Sequence, residues 1–202
     1  FSLRHEGIKP TIRKADIYIR CTLGRGGSRG AYIYKDVLFV SGCMINLPHP
    51  HRYRVTHQIE QLSSRGVACD SVYYLELNTD MVKYYSNFVF YRCPYTDTIG
   101  EFIELAKKLN KTVLYDTDDL VIDTKYTDNI PYVAGMEEQE RRLYDGGVIR
   151  MGRTLSLCDA AITTTKALAE ELSHYVPEVY INRNTASEEM LVCSEAALEL
   201  RR

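Results

Sequence analysis

From Asp36 onward the chain alternates short β-rich runs with longer amphipathic stretches, and this alternation limits the fold more than any other feature. Asp36-Val-Leu-Phe-Val-Ser-Gly42 reads as a fully buried strand. Tyr53 to Arg65 then places Val55, Ile59 and Leu62 at helical spacing before Gly66 stops the helix. A second strand is expected near Ser71 to Leu75, a short helix near Asp80 to Tyr85, and a third strand at Phe88-Val-Phe-Tyr-Arg92. Thr98 to Leu109 sets Ile99, Phe102, Ile103 and Ala106 on one face, and Thr112-Val-Leu-Tyr115 follows as a strand. A loop containing Pro131 leads to a helix from Glu137 to Leu157. The strand Ala160 to Thr163, the helix Lys166 to Tyr175, the strand Val179 to Asn182 and a helix from Ser187 complete the series. Short strands joined by helices imply right-handed crossovers and an α/β fold, a doubly wound parallel sheet covered on both faces. In such sheets ligands sit beyond the carboxyl ends of the strands, so function is to be sought just after each one.

Length and charge add bounds. The 202 residues suffice for a substantial core. No run approaches the roughly 18–20 apolar residues that span a bilayer, and Phe1-Ser-Leu-Arg-His opens no signal-peptide stretch. The missing initiator Met and the Glu199-Leu-Arg-Arg end lead us to expect a piece of a longer polypeptide. The formal charge of −2 conceals an asymmetry: residues 1–35 carry eight basic and two acidic side chains, leaving −8 on the rest. Such an arm is either a solvated linker or a contact with anionic lipid. Gly24-Arg-Gly-Gly-Ser-Arg-Gly30 lacks the spacing of a phosphate loop and precedes a strand, so it reads as a flexible linker. The body lacks a basic-aromatic recognition pattern, and no nucleic-acid partner is expected. Six cysteines without a CxxC pair suggest buried thiols in a reduced, cytoplasmic setting.

The strand ends carry the candidate chemistry. After the first come Gly42, the His49-Pro-His51 pair, and Arg52 and Arg54 at a helix start, where free N–H groups and guanidinium donors suit a phosphate. His49 and His51 lack a nearby carboxylate or Cys to complete a metal set, and no metal site is assigned. His57 reads as a surface or packing residue. Arg92 abuts the third strand, with Asp116 and Asp118 as its expected partners or a ligand in their place. Asp116-Thr-Asp118-Asp119 is the densest signal: three carboxylates at a strand end repel one another unless cations or N–H donors compensate. The cluster reads as a metal-nucleotide site, as a hydroxyl-binding or general-base site, or as an Asp-rich turn. Thr163-Thr-Thr165 suits a helix cap, and Arg183 is a further guanidinium at the functional edge.

In order, Val37-Leu-Phe-Val-Ser-Gly42, Arg52-Tyr-Arg54 with Gln61-Leu near Gly66, Tyr115-Asp-Thr-Asp-Asp-Leu120, Cys158-Asp-Ala-Ala-Ile-Thr-Thr-Thr-Lys-Ala-Leu-Ala169 and Val179-Tyr-Ile-Asn-Arg-Asn184 carry a family likeness. Across residues 36–190 the chain resembles the N-terminal domain of GT-B-fold glycosyltransferases, especially bacterial enzymes that build cell-wall or capsular polysaccharides such as rhamnans. The resemblance implies a Rossmann-like, acceptor-side domain over residues 36–186. Residues 1–35 would be a basic segment and linker, and residues 187–202 a helix leading to a further domain that binds the nucleotide-sugar donor. It also implies a lipid-linked or glycan acceptor, a peripheral contact with the inner membrane face, and no cofactor beyond the donor substrate. Gly42, Arg52, Arg54, Arg92, Asp116 and, more weakly, Arg183 carry over as substrate-binding positions, with Asp118 or Asp119 orienting or deprotonating the acceptor hydroxyl. Asp116-Thr-Asp118 also looks like the DxD motif of metal-dependent GT-A glycosyltransferases, which would make the chain a complete catalytic domain. A noncatalytic Rossmann-like binding module is the remaining alternative.

Overall fold

The structure, a computed structural model, describes residues 34–43 and 48–199. Residues 1–33 of the basic segment, with the glycine cluster, lie outside the described residues, and its last residue, Lys35, already belongs to the first strand. Six strands form one all-parallel sheet: β1 (Lys35–Ser41), β2 (Cys69–Tyr73), β3 (Tyr85–Tyr91), β4 (Thr112–Asp116), β5 (Ala160–Thr163) and β6 (Val179–Ile181). Their spatial order is β2-β1-β3-β4-β5-β6. The chain steps from β1 outward to β2, then returns to the other side of β1 to lay down β3. The connections therefore diverge between β1 and β3, and that switch point opens a crevice at the carboxyl ends of these two strands. The fold is the doubly wound, Rossmann-like α/β architecture that the alternation implies.

Two apolar layers cover the sheet. On one face α1 brings Val55, Ile59 and Leu62 against Val37, Phe39, Val89 and Tyr91. This helix runs as α over Pro48–His51, as a π turn over Arg52–Thr56 and as α again over His57–Ser64. On the other face lie α2 (Asp97–Lys108), α5 (Glu138–Ser156) and α6 (Lys166–Leu172), which contribute Ile99, Phe102, Ile103, Ala106, Leu155 and Leu172 to the larger core. Phe102 meets the rings of Phe88 and Phe90 edge-on at 4.8 and 6.1 Å. Each such fully buried side chain contributes about 1.5–3 kcal/mol. Thr96 caps α2, its hydroxyl accepting the Ile99 N–H at 3.2 Å.

Several elements differ from the sequence expectation. The first helix begins at Pro48 instead of Tyr53, and its buried side is part polar: Arg54, His57 and Gln58 are buried along with Val55. The π turn widens this buried arc. Residues expected as a short helix near Asp80 form a 3₁₀ segment, Thr79–Tyr84, and β3 starts directly after it. The long loop around Pro131 contains two single-turn helices, α3 (Thr124–Thr127) and α4 (Pro131–Ala134). Gly152 lets α5 pass close to this excursion: a Cβ there would lie 2.1 Å from the Ile122 carbonyl oxygen. The last helix, α7 (Glu188–Glu199), is capped by Ser187, whose hydroxyl accepts the Met190 N–H, and it has no buried residue. Among the described residues no helix is long and apolar enough to cross a membrane.

Candidate functional site at the carboxyl edge of the sheet

Two arginine–aspartate clusters stand on the tail of β4. In the first, Arg54 reaches inward from the π turn of α1. Its Nε and Nη2 donate to the two oxygens of Asp116 at 2.9 and 2.7 Å, and Nη1 donates to the Asn182 carbonyl at 2.6 Å and to Asn184 Oδ1 at 3.2 Å. Both charged side chains are at most 2% exposed. Around this pair α1 grips the strand-to-helix connection after β6. His57 Nδ1 meets the Thr185 carbonyl at 2.8 Å, Gln61 donates to the Thr185 hydroxyl, and Asn182 donates to Gln58. Burial raises the Asp116 carboxyl and the Arg54 guanidinium lowers it, leaving it at about 7.

The second cluster is open to solvent. Arg92 follows β3 in the left-handed region, with φ at 41°, where a non-glycine residue is strained. Its Nε donates to Asp118 Oδ1 and its Nη2 to Asp119 Oδ2, both at 2.8 Å, while the Tyr91 hydroxyl donates to the same Asp118 oxygen at 3.0 Å. Asp118 Oδ2 and Asp119 Oδ1 have no hydrogen-bond partner among the described residues. The Arg92 and Asp118 side chains are about one-fifth exposed (21% and 20%) and that of Asp119 is 63% exposed, so a ligand can reach them. Gly42 makes this arrangement possible. A Cβ on Gly42 would sit 1.9 Å from the Arg92 carbonyl oxygen, so only glycine lets the end of β1 pass beneath the strained residue.

The remaining wall of the crevice comes from β1 and α1. Ser41, opposite Tyr91 in the β1–β3 ladder, is buried; its Oγ accepts the Cys43 N–H at 3.3 Å and lies 3.0 Å from His51 Nδ1. Burial raises the Cys43 thiol, and the nearby Arg92 charge opposes that rise. Burial alone lowers the His51 imidazole.

The candidate positions therefore separate. Gly42, Arg92, Asp118 and Asp119 converge at the switch point. Arg54 and Asp116 do not join them as ligand contacts: the expectation that Arg54 binds a phosphate is corrected by a guanidinium wholly enclosed and spent on protein acceptors. Arg92 takes Asp119, not Asp116, as its second carboxylate. Arg52 and Arg183 are exposed, the first on the π turn and the second after β6. Thr165 acts as a cap, its hydroxyl accepting the Leu168 N–H. His51, Ser41, Cys43 and Tyr91 were not singled out from the sequence as members of an organic-ligand site; the available signal was a polar residue closing an apolar strand beside a helix start. Among the described residues no group of three His, Cys, Asp or Glu side chains is placed to hold a metal. Compared with protein-family models, characterised proteins and solved structures, the chain finds no significant match in any of the three.

Proposed function

We propose that this chain is the acceptor-side half of a GT-B-type glycosyltransferase. It would serve transfer of a sugar from a nucleotide-sugar donor to a glycan acceptor, lipid-linked at the inner membrane face, during synthesis of a cell-surface polysaccharide. The observation that carries the reading is the Arg92–Asp118–Asp119 cluster. At the switch point of a doubly wound sheet it offers two carboxylate oxygens free to accept from hydroxyl groups, and Arg92 holds both carboxylates in place from one strained backbone position. Sugar alcohols are the ligands such acceptors suit. Arg52, exposed on the first turns of α1, is the guanidinium left to meet an acceptor phosphate now that Arg54 is committed to the fold. The order of the family-like segments along the chain agrees with this reading.

The metal-dependent GT-A alternative needs Asp116 as a ligand, and both Asp116 oxygens are occupied by Arg54 deep in the interior. Transfer by the full protein from dTDP- or UDP-sugars to a polyprenyl-diphosphate-linked sugar is the direct test. Asp118→Asn and Asp119→Asn are expected to lower turnover by on the order of 10- to 10²-fold. Near-normal turnover in both variants would sink the role given to the cluster, and tight donor binding by residues 1–202 alone would sink the acceptor-half assignment.

A further inference from the structure

On the sheet face opposite α1, α2 and the end of α5 enclose a cavity of about 530 Å³ that the crevice does not use. Its size falls within the ~300–1,000 Å³ of small-molecule sites. The apolar lining comes from Ile103 of α2 and Leu157 just after α5. Around it stand polar groups that the fold leaves unoccupied. Arg153 lays its guanidinium on the Tyr95 ring, with Cζ 3.5 Å from the centroid, and its N–H groups have no acceptor among the described residues. Asp97 and Glu101, one turn apart on α2, form no ion pair or side-chain hydrogen bond among the described residues. By contrast Lys107 faces Asp159 at 3.2 Å and Glu104 accepts from Lys108 at 2.6 Å. The ring that carries Arg153 is itself fixed. The Tyr95 N–H donates to the Arg150 carbonyl at 3.0 Å, and Gly100 lets the ring lie against α2, since a Cβ there would fall 2.4 Å from the Tyr95 hydroxyl oxygen. Stacking thus orders a long side chain in advance and leaves the edge of its planar fork to donate.

The charges select among ligands. A phosphate would gain Arg153 and meet Asp97, Glu101 and Glu104, while a cation would gain those carboxylates and meet Arg153 and Lys107. A neutral polyhydroxyl ring escapes both penalties. Its hydroxyls donate to the free carboxylates and accept from the guanidinium, and its C–H groups suit the Ile103 and Leu157 lining. We propose that this cavity is a second saccharide site, which holds sugars of the acceptor glycan behind the one that reacts in the crevice; the identity of the occupant rests on the glycosyltransferase reading above. Its placement supports the assignment. Tyr95 follows Arg92 by three residues, so the cavity starts at the same carboxyl edge of the sheet as the Arg92 cluster. From Asp97 to Lys107 it then follows α2 for about 15 Å away from that edge. A glycan leaving the crevice across the end of β3 meets this groove next. Contacts there touch no reacting atom, so they lower the KM of long acceptors and leave kcat alone.

The test uses the full protein with dTDP- and UDP-sugars and two polyprenyl-diphosphate-linked acceptors, one carrying a single sugar and the other a chain of several. Arg153→Met, and separately Asp97→Asn with Glu101→Gln, are expected to raise the KM of the long acceptor by on the order of 3- to 10-fold. The kcat, and the KM of the single-sugar acceptor, should not change. Arg153→Lys should behave like Arg153→Met, because an ammonium keeps the charge and loses the fork. The free oligosaccharide of the long acceptor should shift amide resonances of α2 in the wild type and not in Arg153→Met. All three substituted side chains are exposed, so the variants are expected to fold, and circular dichroism checks it. An equal change of KM on both acceptors, or none on either, overturns the second site and leaves the transferase reading standing. So do α2 resonances that respond to inorganic phosphate or a basic peptide and not to the oligosaccharide. A wild type that transfers no sugar while its α2 resonances respond to the oligosaccharide overturns the transferase reading and keeps the saccharide site. Neither transfer nor response overturns both.

Discussion

The tail of β4 carries two arginine–aspartate clusters separated by a single residue, Thr117, and they do opposite work. Asp116, still in the strand, points to the face that α1 covers and is locked to Arg54 with both side chains sealed from water. Asp118 and Asp119, past the strand end, meet Arg92 at the lip of the crevice, where every partner keeps contact with solvent. A buried pair lacks the compensating solvation of water, so its geometry must be complete, and here it is: two bonds to the carboxylate, and the remaining guanidinium nitrogen satisfied by Asn182 and Asn184. A half-exposed pair leaves oxygens over, and those are what a substrate can use. The same residue types at neighbouring positions thus become a fastening or a site according to where the strand stops.

The hardest break of this contrast is at Arg54. Arg54→Met removes one partner and strands a buried carboxylate, and we expect a loss of about 3–5 kcal/mol of stability. Urea unfolding followed by far-UV circular dichroism measures it. The connection Asn182–Thr185 should loosen at the same time, because Arg54 is its deepest anchor, and amide hydrogen exchange at these residues reports it.

Proton linkage separates the clusters next. The folded Asp116 carboxyl stands at about 7, against 3.8 for the ordinary carboxyl. Between these values the unfolded chain has released its proton and the folded chain retains it, so the folded state binds more protons and stability falls as pH rises through the window. Above about 7 the contribution is flat. His51 acts in the other direction. Its folded value is lowered from 6.5, so the unfolded chain binds the extra proton just below 6.5 and stability rises with pH there. The Asp116 share is isolated by difference: Asp116→Asn should remove the falling component below about pH 7 in urea midpoints, whereas Asp118→Asn should only reduce it, because the Asp118 charge is a lesser cause of the raised Asp116 carboxyl than burial.

A third break lies in the backbone between the clusters. Gly42→Ala puts a methyl group against a carbonyl oxygen that Arg92 cannot withdraw without giving up its own ladder bond to the Asp116 carbonyl. The expected cost is about 1–3 kcal/mol, measured by thermal unfolding. The damage should fall on transfer as well as on stability, because Arg92 would have to turn away from Asp118 and Asp119.

Much of this was legible in the order of residues. The apolar runs of β1, β3 and β4, and the Ile99, Phe102, Ile103 and Ala106 face of α2, follow from periodicities of two and 3.6 that tertiary packing did not override. The Asp116–Asp119 cluster and Arg92 were visible as charge at the ends of buried strands. The pairing was not. Strand alternation sends Asp116 to the α1 side, and its partner lies 62 residues earlier, on a helix whose polar inner face defeats a reading based on apolar spacing. His51 was hidden for a related reason: its meaning depends on Ser41, and the contact exists only because the start of α1 folds back over the end of β1. Long-range polar contacts leave no period in a sequence, and this protein places its fastening and the far wall of its crevice in such contacts.

The mildest break in stability is Arg92→Met, and it sharpens the comparison most. The Asp119 partner is 63% exposed and water screens it, while Arg92 and Asp118 keep about one-fifth of their surface, so the pairs together are worth about 1 kcal/mol or less. Thermal unfolding should therefore shift little. Sugar transfer by the full protein should fall by on the order of 10²-fold, since Asp118 and Asp119 lose the group that aims them. A variant that unfolds as readily as Arg54→Met would make Arg92 a second fastening, and one that keeps both stability and turnover would leave the open cluster without a role in transfer. Stability retained with turnover lost is the signature of a site held in place by an otherwise dispensable ion pair.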